Sequence, residues 1–240
     1  MNLCIDQGNS STKIGVFDQS ILIDSVVFEE FGKAEVAVLF ERYRIDACIL
    51  SSVRIENIEL IQELRAFSTV FIELSHRTPI PLQNNYKTPH TLGKDRLAAV
   101  VGATFLKPQS DILVIDAGTA ITYDFVSSDN IYQGGNIAPG LHMRLRAMHE
   151  FTQKLPLVDA VSETPEFGTD TQSALTSGAL YGVIYEIDGY INHLKIKYPQ
   201  LLVFLTGGST FYFISKLKST IFAERNLVLI GLNRILQYNV

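Results

Sequence analysis

Leu3-Cys4-Ile5-Asp6-Gln7-Gly8-Asn9-Ser10-Ser11-Thr12-Lys13 is the stretch on which the reading of this chain turns. An apolar run ends in an acid, a glycine follows, and small hydroxyl residues lead into a second alternating segment. That pattern predicts a strand over Leu3–Gln7, a close turn, and further strands over Lys13–Asp18 and Ile21–Phe28. It returns 110 positions on, where Asp116-Ala117-Gly118-Thr119 closes a strand predicted over Asp111–Asp116 and precedes others over Thr119–Ser127 and Ile131–Gln133. One Asp-x-Gly turn is what many hairpins use. Two copies at matching positions, each followed by two more strands and then helices, point to a duplicated α/β unit. The expectation is two lobes, residues 1–110 and 111–240, with mixed sheets and with acidic hairpins facing a central cleft.

The remaining segments fill out both halves. Lys33–Tyr43 and Ile58–Phe67 read as helices, and Ile45–Leu50 and Thr69–Leu74 as strands. Pro79, Pro81 and Pro89 fall among polar residues, so Ser75–Leu92 reads as a long irregular loop, a length usually kept for function. A helix is predicted over Gly93–Leu106. In the second half, Gly134-Gly135-Asn136 reads as a turn leading to Pro139-Gly140 and a helix through Met148. An irregular stretch covers Leu155–Gly168. Thr171–Tyr198 reads as a long helix with a break expected at Gly178 or Gly189. Leu201–Leu205 is a buried strand ending in Thr206-Gly207-Gly208, followed by a helix, a short strand and a C-terminal helix.

Bulk properties narrow the class. Hydrophobic residues make up 47% and charged residues 19% of 240 positions, as in a compact globular chain. A formal net charge of −5 disfavours a general nucleic-acid binder. Cys4 and Cys48 both lie in apolar runs and read as inert core thiols, not as a disulfide or a metal pair. The first residues carry no basic segment, and the longest apolar stretch, Leu97–Leu106, is too short to cross a bilayer. A cytoplasmic protein without a membrane or nucleic-acid partner is expected.

The motifs suggest phosphate chemistry. Gly8 lets backbone approach a bulky anion, while Ser10, Ser11, Thr12 and neighbouring N–H groups can bond its oxygens. Lys13 adds a positive charge, and Asp6 can hold hydrated Mg²⁺. Neither the P-loop pattern nor Gly-x-Gly-x-x-Gly occurs, so hairpins would hold the phosphates. Gly118 and Thr119 can donate to them, and Asp116 can bind a cation. Thr206-Gly207-Gly208-Ser209 suits a nucleotide or a plain strand-to-helix turn equally well. In Tyr86-Lys87-Thr88-Pro89-His90-Thr91-Leu92-Gly93-Lys94-Asp95-Arg96, a polar loop meets a helix start. Asp95 there either stabilises the helix N-terminus or accepts the proton of an attacking hydroxyl. Arg96 can grip a carboxylate bidentately. His142 and His149 share a predicted helix with Arg144 and Arg146, which reads as a solvated basic face. No zinc spacing and no nucleophile elbow occur.

With these residues laid out, the chain resembles the type III pantothenate kinases, a family of the actin, hexokinase and heat-shock chaperone ATPase superfamily. The resemblance rests on Asp6-Gln7-Gly8-Asn9-Ser10 through Lys13, Gly93-Lys94-Asp95-Arg96, Asp116-Ala117-Gly118-Thr119-Ala120, Gly134 through Gly140, and Thr206-Gly207-Gly208. It implies a duplicated ribonuclease H-like, actin-like ATPase fold and transfer of the ATP γ-phosphate to pantothenate, the entry step of coenzyme A synthesis. It implies ATP phosphates along Asp6, Gln7, Gly8, Asn9, Ser10, Ser11, Thr12 and Lys13 and at Thr119. The resemblance further implies pantothenate contacts at Tyr86, Gly93, Lys94, Asp95, Arg96 and Thr171, with Asp95 the proton acceptor. It also implies K⁺ or NH4⁺ at Asp116, Mg²⁺ on the nucleotide, and a homodimer to which helices between Ala174 and Tyr190 contribute. Ser10 stands where the family usually has threonine, and Phe151-Thr152-Gln153-Lys154 departs from its usual pattern.

Three other readings compete. A sugar or other small-alcohol kinase of the same superfamily has no evident need of Arg96. A hydrolase or polyphosphatase leaves Tyr86 and Arg96 without a substrate role. A non-catalytic nucleotide-binding regulator would dispense with Asp6, Asp95 or Asp116, and all three acids are present.

Overall fold

The computed structural model describes residues 1–55 and 57–240. Its first half holds strands β1 (Asn2–Gln7), β2 (Thr12–Asp18) and β3 (Ile21–Phe28), helix α1 (Lys33–Arg42), β4 (Ala47–Ser52), α2 (Ile58–Phe67), β5 (Val70–Glu73), β6 (Gln83–Asn84) and α3 (Lys94–Leu106). Next come β7 (Ile112–Ala117), β8 (Ala120–Val126), β9 (Ile131–Pro139), α4 (Leu141–Glu150) and α5 (Thr171–Lys197). The chain closes with β10 (Leu202–Thr206), α6 (Thr210–Phe213), β11 (Phe222–Ala223) and α7 (Leu227–Tyr238). These group into two compact units: Met1–Gln109 with Asp129–Gln133 and Asn226–Val240, and Ser110–Ser128 with Gly134–Arg225.

The first unit is built on a five-stranded sheet in the order β3-β2-β1-β4-β5. β1 runs antiparallel to β2 and parallel to β4. Central strands covered on both faces need nearly continuous apolar side chains. Leu3, Cys4 and Ile5 of β1 and Cys48, Ile49 and Leu50 of β4 supply them, all buried. β3, at the edge, alternates exposed and half-buried positions instead. One sheet face packs on α1 and α2 through Leu3, Ile5, Val36, Leu39, Leu60 and Leu64. The other carries α7 on β1 and α3 on β4. α3 and α7 lie so close that a Cβ on Gly102 would strike the Leu227 carbonyl, and one on Gly231 the Ala98 carbonyl. Within this unit β6 pairs in parallel with the start of β9, setting Asn84 opposite Tyr132.

The second unit repeats the order as β9-β8-β7-β10-β11. β7 is antiparallel to β8 and parallel to β10. Its core gathers Leu113, Ile115, Tyr123, Leu141, Leu180, Val183, Ile187, Val203 and Leu205. The two permutations coincide strand for strand, so the duplication expected from the acidic turns is present in the topology.

Three local expectations are corrected. The loop over residues 75–92 contains β6 and a 3₁₀ turn, Pro89–Thr91. β9 continues to Pro139 through Gly134-Gly135-Asn136, where a turn was expected. Gly134 takes φ 107° and lets the strand bend without ending. α5 is unbroken at Gly178 and Gly189. A Cβ at either would meet nothing, so glycine there only weakens the helix, by about 1 kcal/mol relative to alanine. Among the described residues no helix is long and apolar enough to cross a membrane.

Candidate active site

In the first unit, Asp6 pairs with Lys13 and Gln7 with Thr12 across the β1–β2 hairpin. The Gly8 amide donates to the Ser11 carbonyl at 3.0 Å, leaving Asn9 and Ser10 exposed at the tip. Arg54 holds the tip from outside, its Nε donating to the Gly8 carbonyl at 2.6 Å. β4 sets Ser51 beside Asp6 in register, so Asp6, Lys13 and Ser51 share the sheet face that α3 and α7 cover. The Ser51 and Thr12 hydroxyls are buried without a hydrogen-bond partner.

α3 rises from that same side with Gly93 as its N-cap. A Cβ at Gly93 would press on Asp95 Oδ1. That oxygen accepts the Arg96 amide at 2.8 Å, which fixes the carboxylate at the helix start. Arg96 is buried. Its Nη2 donates to the Tyr132 hydroxyl at 3.2 Å, and its guanidinium carbon sits 5.7 Å from the centre of the Tyr86 ring. Tyr86 and Tyr132 stack at 6.2 Å and 17°. The Asn84 side chain orients Tyr86 by accepting its amide at 2.9 Å. Two tyrosines thus hold a planar cation beside a helix-start carboxylate. Tyr132 was not singled out from sequence; in Ile131-Tyr132-Gln133 it looks like any core aromatic.

The second unit holds Asp116, Thr119 and Thr171. β7 and β8 turn tightly, with the Gly118 amide donating to the Ala120 carbonyl at 3.1 Å. Two other segments close on this turn. Gly140 donates its amide to the Thr119 carbonyl at 3.2 Å, and a Cβ there would strike the Gly118 and Thr119 carbonyls. Gly207, at φ 95°, lies against Asp116 and Ala117, and the Ser209 amide donates to the Ala117 carbonyl at 2.9 Å. The structure therefore brings three sequence motifs of this half to one point: Asp116–Thr119, Pro139-Gly140 and Gly207-Gly208-Ser209. Asp116 stands in register between Thr122 of β8 and Thr206 of β10. The Thr122 hydroxyl is buried and without a partner.

Thr171 is exposed and opens α5, directly after Asp170, whose side chain caps the helix by accepting the Ser173 amide. Hydrogen bonds from Ser173, chiefly from its amide, hold the Asp170 carboxyl below its usual pKa. Arg144 does not lie on a solvated basic face as expected. It is half-buried and pairs with Glu186. Arg146 is exposed. Cys4 and Cys48 are fully buried and unpaired, and burial raises both thiols, Cys48 to about 12. Among the described residues no group of three His, Cys, Asp or Glu side chains could hold a metal ion.

This chain is similar to known proteins along its whole length. The family model described as Type III pantothenate kinase matches residues 2–193. A type III pantothenate kinase of Phocaeicola vulgatus is 50% identical over 239 residues, covering 100% of this chain and 99% of that protein. Among solved structures, one named for the Baf family of transcriptional activators, from Campylobacter jejuni, superposes with a TM-score of 0.66 at 21% identity. It covers 99% of this chain and 98% of that one. A protein named as an N-acetylmannosamine kinase, from Listeria monocytogenes, gives 0.56 at 16% identity, covering 100% and 99%. The last two speak for the fold, the duplicated ribonuclease H-like arrangement of actin-like ATPases.

Proposed function

This chain belongs to the type III pantothenate kinase family, and on that premise we infer that it transfers the γ-phosphate of ATP to the hydroxyl of pantothenate, yielding 4′-phosphopantothenate for coenzyme A synthesis. The observation that carries the reading is the placement of the Asp95 carboxylate and the Arg96 guanidinium side by side on the first turn of α3, the carboxylate fixed by the Arg96 backbone amide and the guanidinium held by Tyr86 and Tyr132. A substrate with a carboxylate at one end and a hydroxyl to be phosphorylated matches that pair.

Each candidate residue has a task in this proposal. The tip from Asp6 to Lys13, with Gln7, Gly8, Asn9, Ser10, Ser11 and Thr12, wraps the ATP phosphates, and Thr119 donates to them. Arg96 grips the pantothenate carboxylate, while Tyr86, Gly93, Lys94 and Thr171 shape its place. Asp95 accepts the proton leaving the hydroxyl oxygen as that oxygen attacks phosphorus. A carboxylate suffices for this, because positioning and charge neutralisation supply most of the rate in phosphoryl transfer.

Donor chemistry supports the cations of this reading. Asp116 between two threonines offers one negative charge and neutral oxygens, including the partnerless Thr122 hydroxyl. That set suits K⁺ or NH4⁺. Asp6, a hard oxygen donor, suits a water of Mg²⁺ carried by ATP. Together the cations neutralise phosphate charge. The protein acts in the cytoplasm as a homodimer, with α5 contributing to the contact.

Coupled release of ADP tests the reading. Release is expected with pantothenate and not with hexoses or water, and to fall strongly when K⁺ and NH4⁺ are both removed. ADP release with hexose alone overturns the substrate. An unchanged rate without monovalent cation takes the ion away from Asp116. Asp95→Asn is expected to fold and bind ATP while kcat drops by about 10²–10⁴-fold; undiminished turnover removes Asp95 from its role.

A further inference from the structure

Behind the Thr119 turn lies a polar network that the proposed chemistry does not use. Glu186, on α5, accepts the Tyr123 hydroxyl at 2.7 Å through one oxygen and Arg144 Nη2 at 2.5 Å through the other. Arg144 Nε donates to the Pro139 carbonyl at 2.9 Å. Tyr190, one turn further along α5, stacks on Tyr123 at 4.0 Å and 18°, and its hydroxyl accepts from Asn136 at 3.0 Å. The last residues of β9 are thus tied to α5 at both ends, Asn136 through Tyr190 and Pro139 through Arg144 and Glu186. The next residue, Gly140, bonds the Thr119 carbonyl.

We propose that Arg144 and Glu186 are positioning residues for the nucleotide, fixing Pro139-Gly140 so that the Thr119 turn is held in its phosphate-binding shape. This rests on the reading of Thr119 as a phosphate contact. The physical case begins with placement. Arg144 and Glu186 keep 22% and 27% of their side-chain surface exposed, so the pair is partly desolvated, and removing one partner leaves the other charge uncompensated. Tyr123 keeps 2% of its surface and donates to the same carboxylate. Ordinary stabilisation of α4 would need none of this aim: α4 begins with its own backbone bond, from the Arg144 amide to the Gly140 carbonyl. What the side chain adds is a second hold, one residue earlier, on the segment that touches Thr119. Displacing a binding element by a fraction of an ångström is enough to weaken a positioned contact.

Affinity for MgATP, by calorimetric titration, and steady-state kinetics in both substrates are measured for wild type, Arg144→Ala, Arg144→Lys, Glu186→Gln, Thr119→Ala and the exposed neighbour Arg146→Ala. Arg144→Ala is expected to weaken MgATP binding and raise the KM for ATP about five- to tenfold, with the pantothenate KM within twofold. Arg144→Lys is expected to behave like Arg144→Ala, since a lysine cannot supply both bonds of the fork. Glu186→Gln is expected to give a smaller shift in the same sense and carries the test if Arg144→Ala does not fold. Arg146→Ala should leave every parameter unchanged. Full rescue by lysine, or equal losses in both substrates, overturns the inference by reducing it to general charge or general stability. A Thr119→Ala shift without an Arg144 shift overturns the inference and leaves the phosphate contact standing. If Thr119→Ala leaves ATP binding unchanged, the reading of the turn fails, and the inference with it.

Discussion

The two acidic hairpins of this molecule share strand order and register, yet they are secured in opposite ways. Asp6 and Asp116 each stand next to last in the central strand of a five-strand order, and each pairs across an antiparallel hairpin, with Lys13 and Thr122 respectively. The first tip is longer, displays Asn9 and Ser10, and is held by a side chain, Arg54. The second is a tight turn clamped by backbone, with Gly140 on one side and Gly207 to Ser209 on the other. One duplicated motif thus builds two kinds of turn, and on the proposed reading two kinds of phosphate contact. A longer tip offers many adaptable donors, and a glycine-packed turn offers few donors at fixed positions.

The comparison breaks most sharply at the glycines. Gly207→Ala puts a Cβ at φ 95° and into contact with Asp116 and Ala117. Left-handed backbone and overpacking together should cost about 2–4 kcal/mol, read by chemical denaturation. Gly8→Ala meets only the Ser11 carbonyl at 3.4 Å and should cost less than about 1 kcal/mol. Equal losses in the two variants would erase the distinction between a clamped turn and an open tip.

A middle-sized effect sharpens the first tip. Ser10→Ala removes a hydroxyl proposed to bond a charged phosphate and should raise the KM for ATP about tenfold. Ser10→Thr keeps the hydroxyl and should stay within twofold. Arg54→Ala frees the Gly8 carbonyl and should raise the same KM about threefold, because the tip loosens without losing a phosphate donor. A larger loss for Arg54→Ala than for Ser10→Ala would make the first tip as dependent on its brace as the second.

Local chemistry made much of this legible. An acid, a glycine and small hydroxyls between apolar runs dictate a hairpin within a dozen residues, so both turns and the duplication could be read directly. The continuous apolar runs of β1 and β4 likewise announced central strands. What escaped was set by partners far along the chain. Gly134-Gly135-Asn136 reads as a turn from its neighbours alone, but pairing in the sheet keeps it extended. Tyr132 acquires meaning from Arg96, 36 residues away, and Arg144 from Glu186, 42 residues away. No period or spacing encodes such pairs.

The smallest effect follows from laying one half on the other. Counting back from the acids, Cys4 corresponds to Val114, two residues before Asp116. Cys48, paired with Leu3, corresponds to Val203, paired with Leu113. The second half fills both places with a side chain of similar size, so Cys4→Val/Cys48→Val should fold, keep kcat and KM within twofold, and cost less than about 1.5 kcal/mol at neutral pH. The pH dependence gives this variant its own signature. Burial raises both thiols above the ordinary value, Cys48 to about 12. Between the ordinary thiol value and those raised values the native state holds protons that the unfolded chain has released. Stability from this source is therefore full below the ordinary range and falls as pH climbs through it. The valine variant lacks that slope, so its melting temperature should decline less than wild type between pH 8 and about 10. Parallel declines would mean that the thiols do not differ between the folded and unfolded chain, and the equivalence of the two cores at these positions would lose its support.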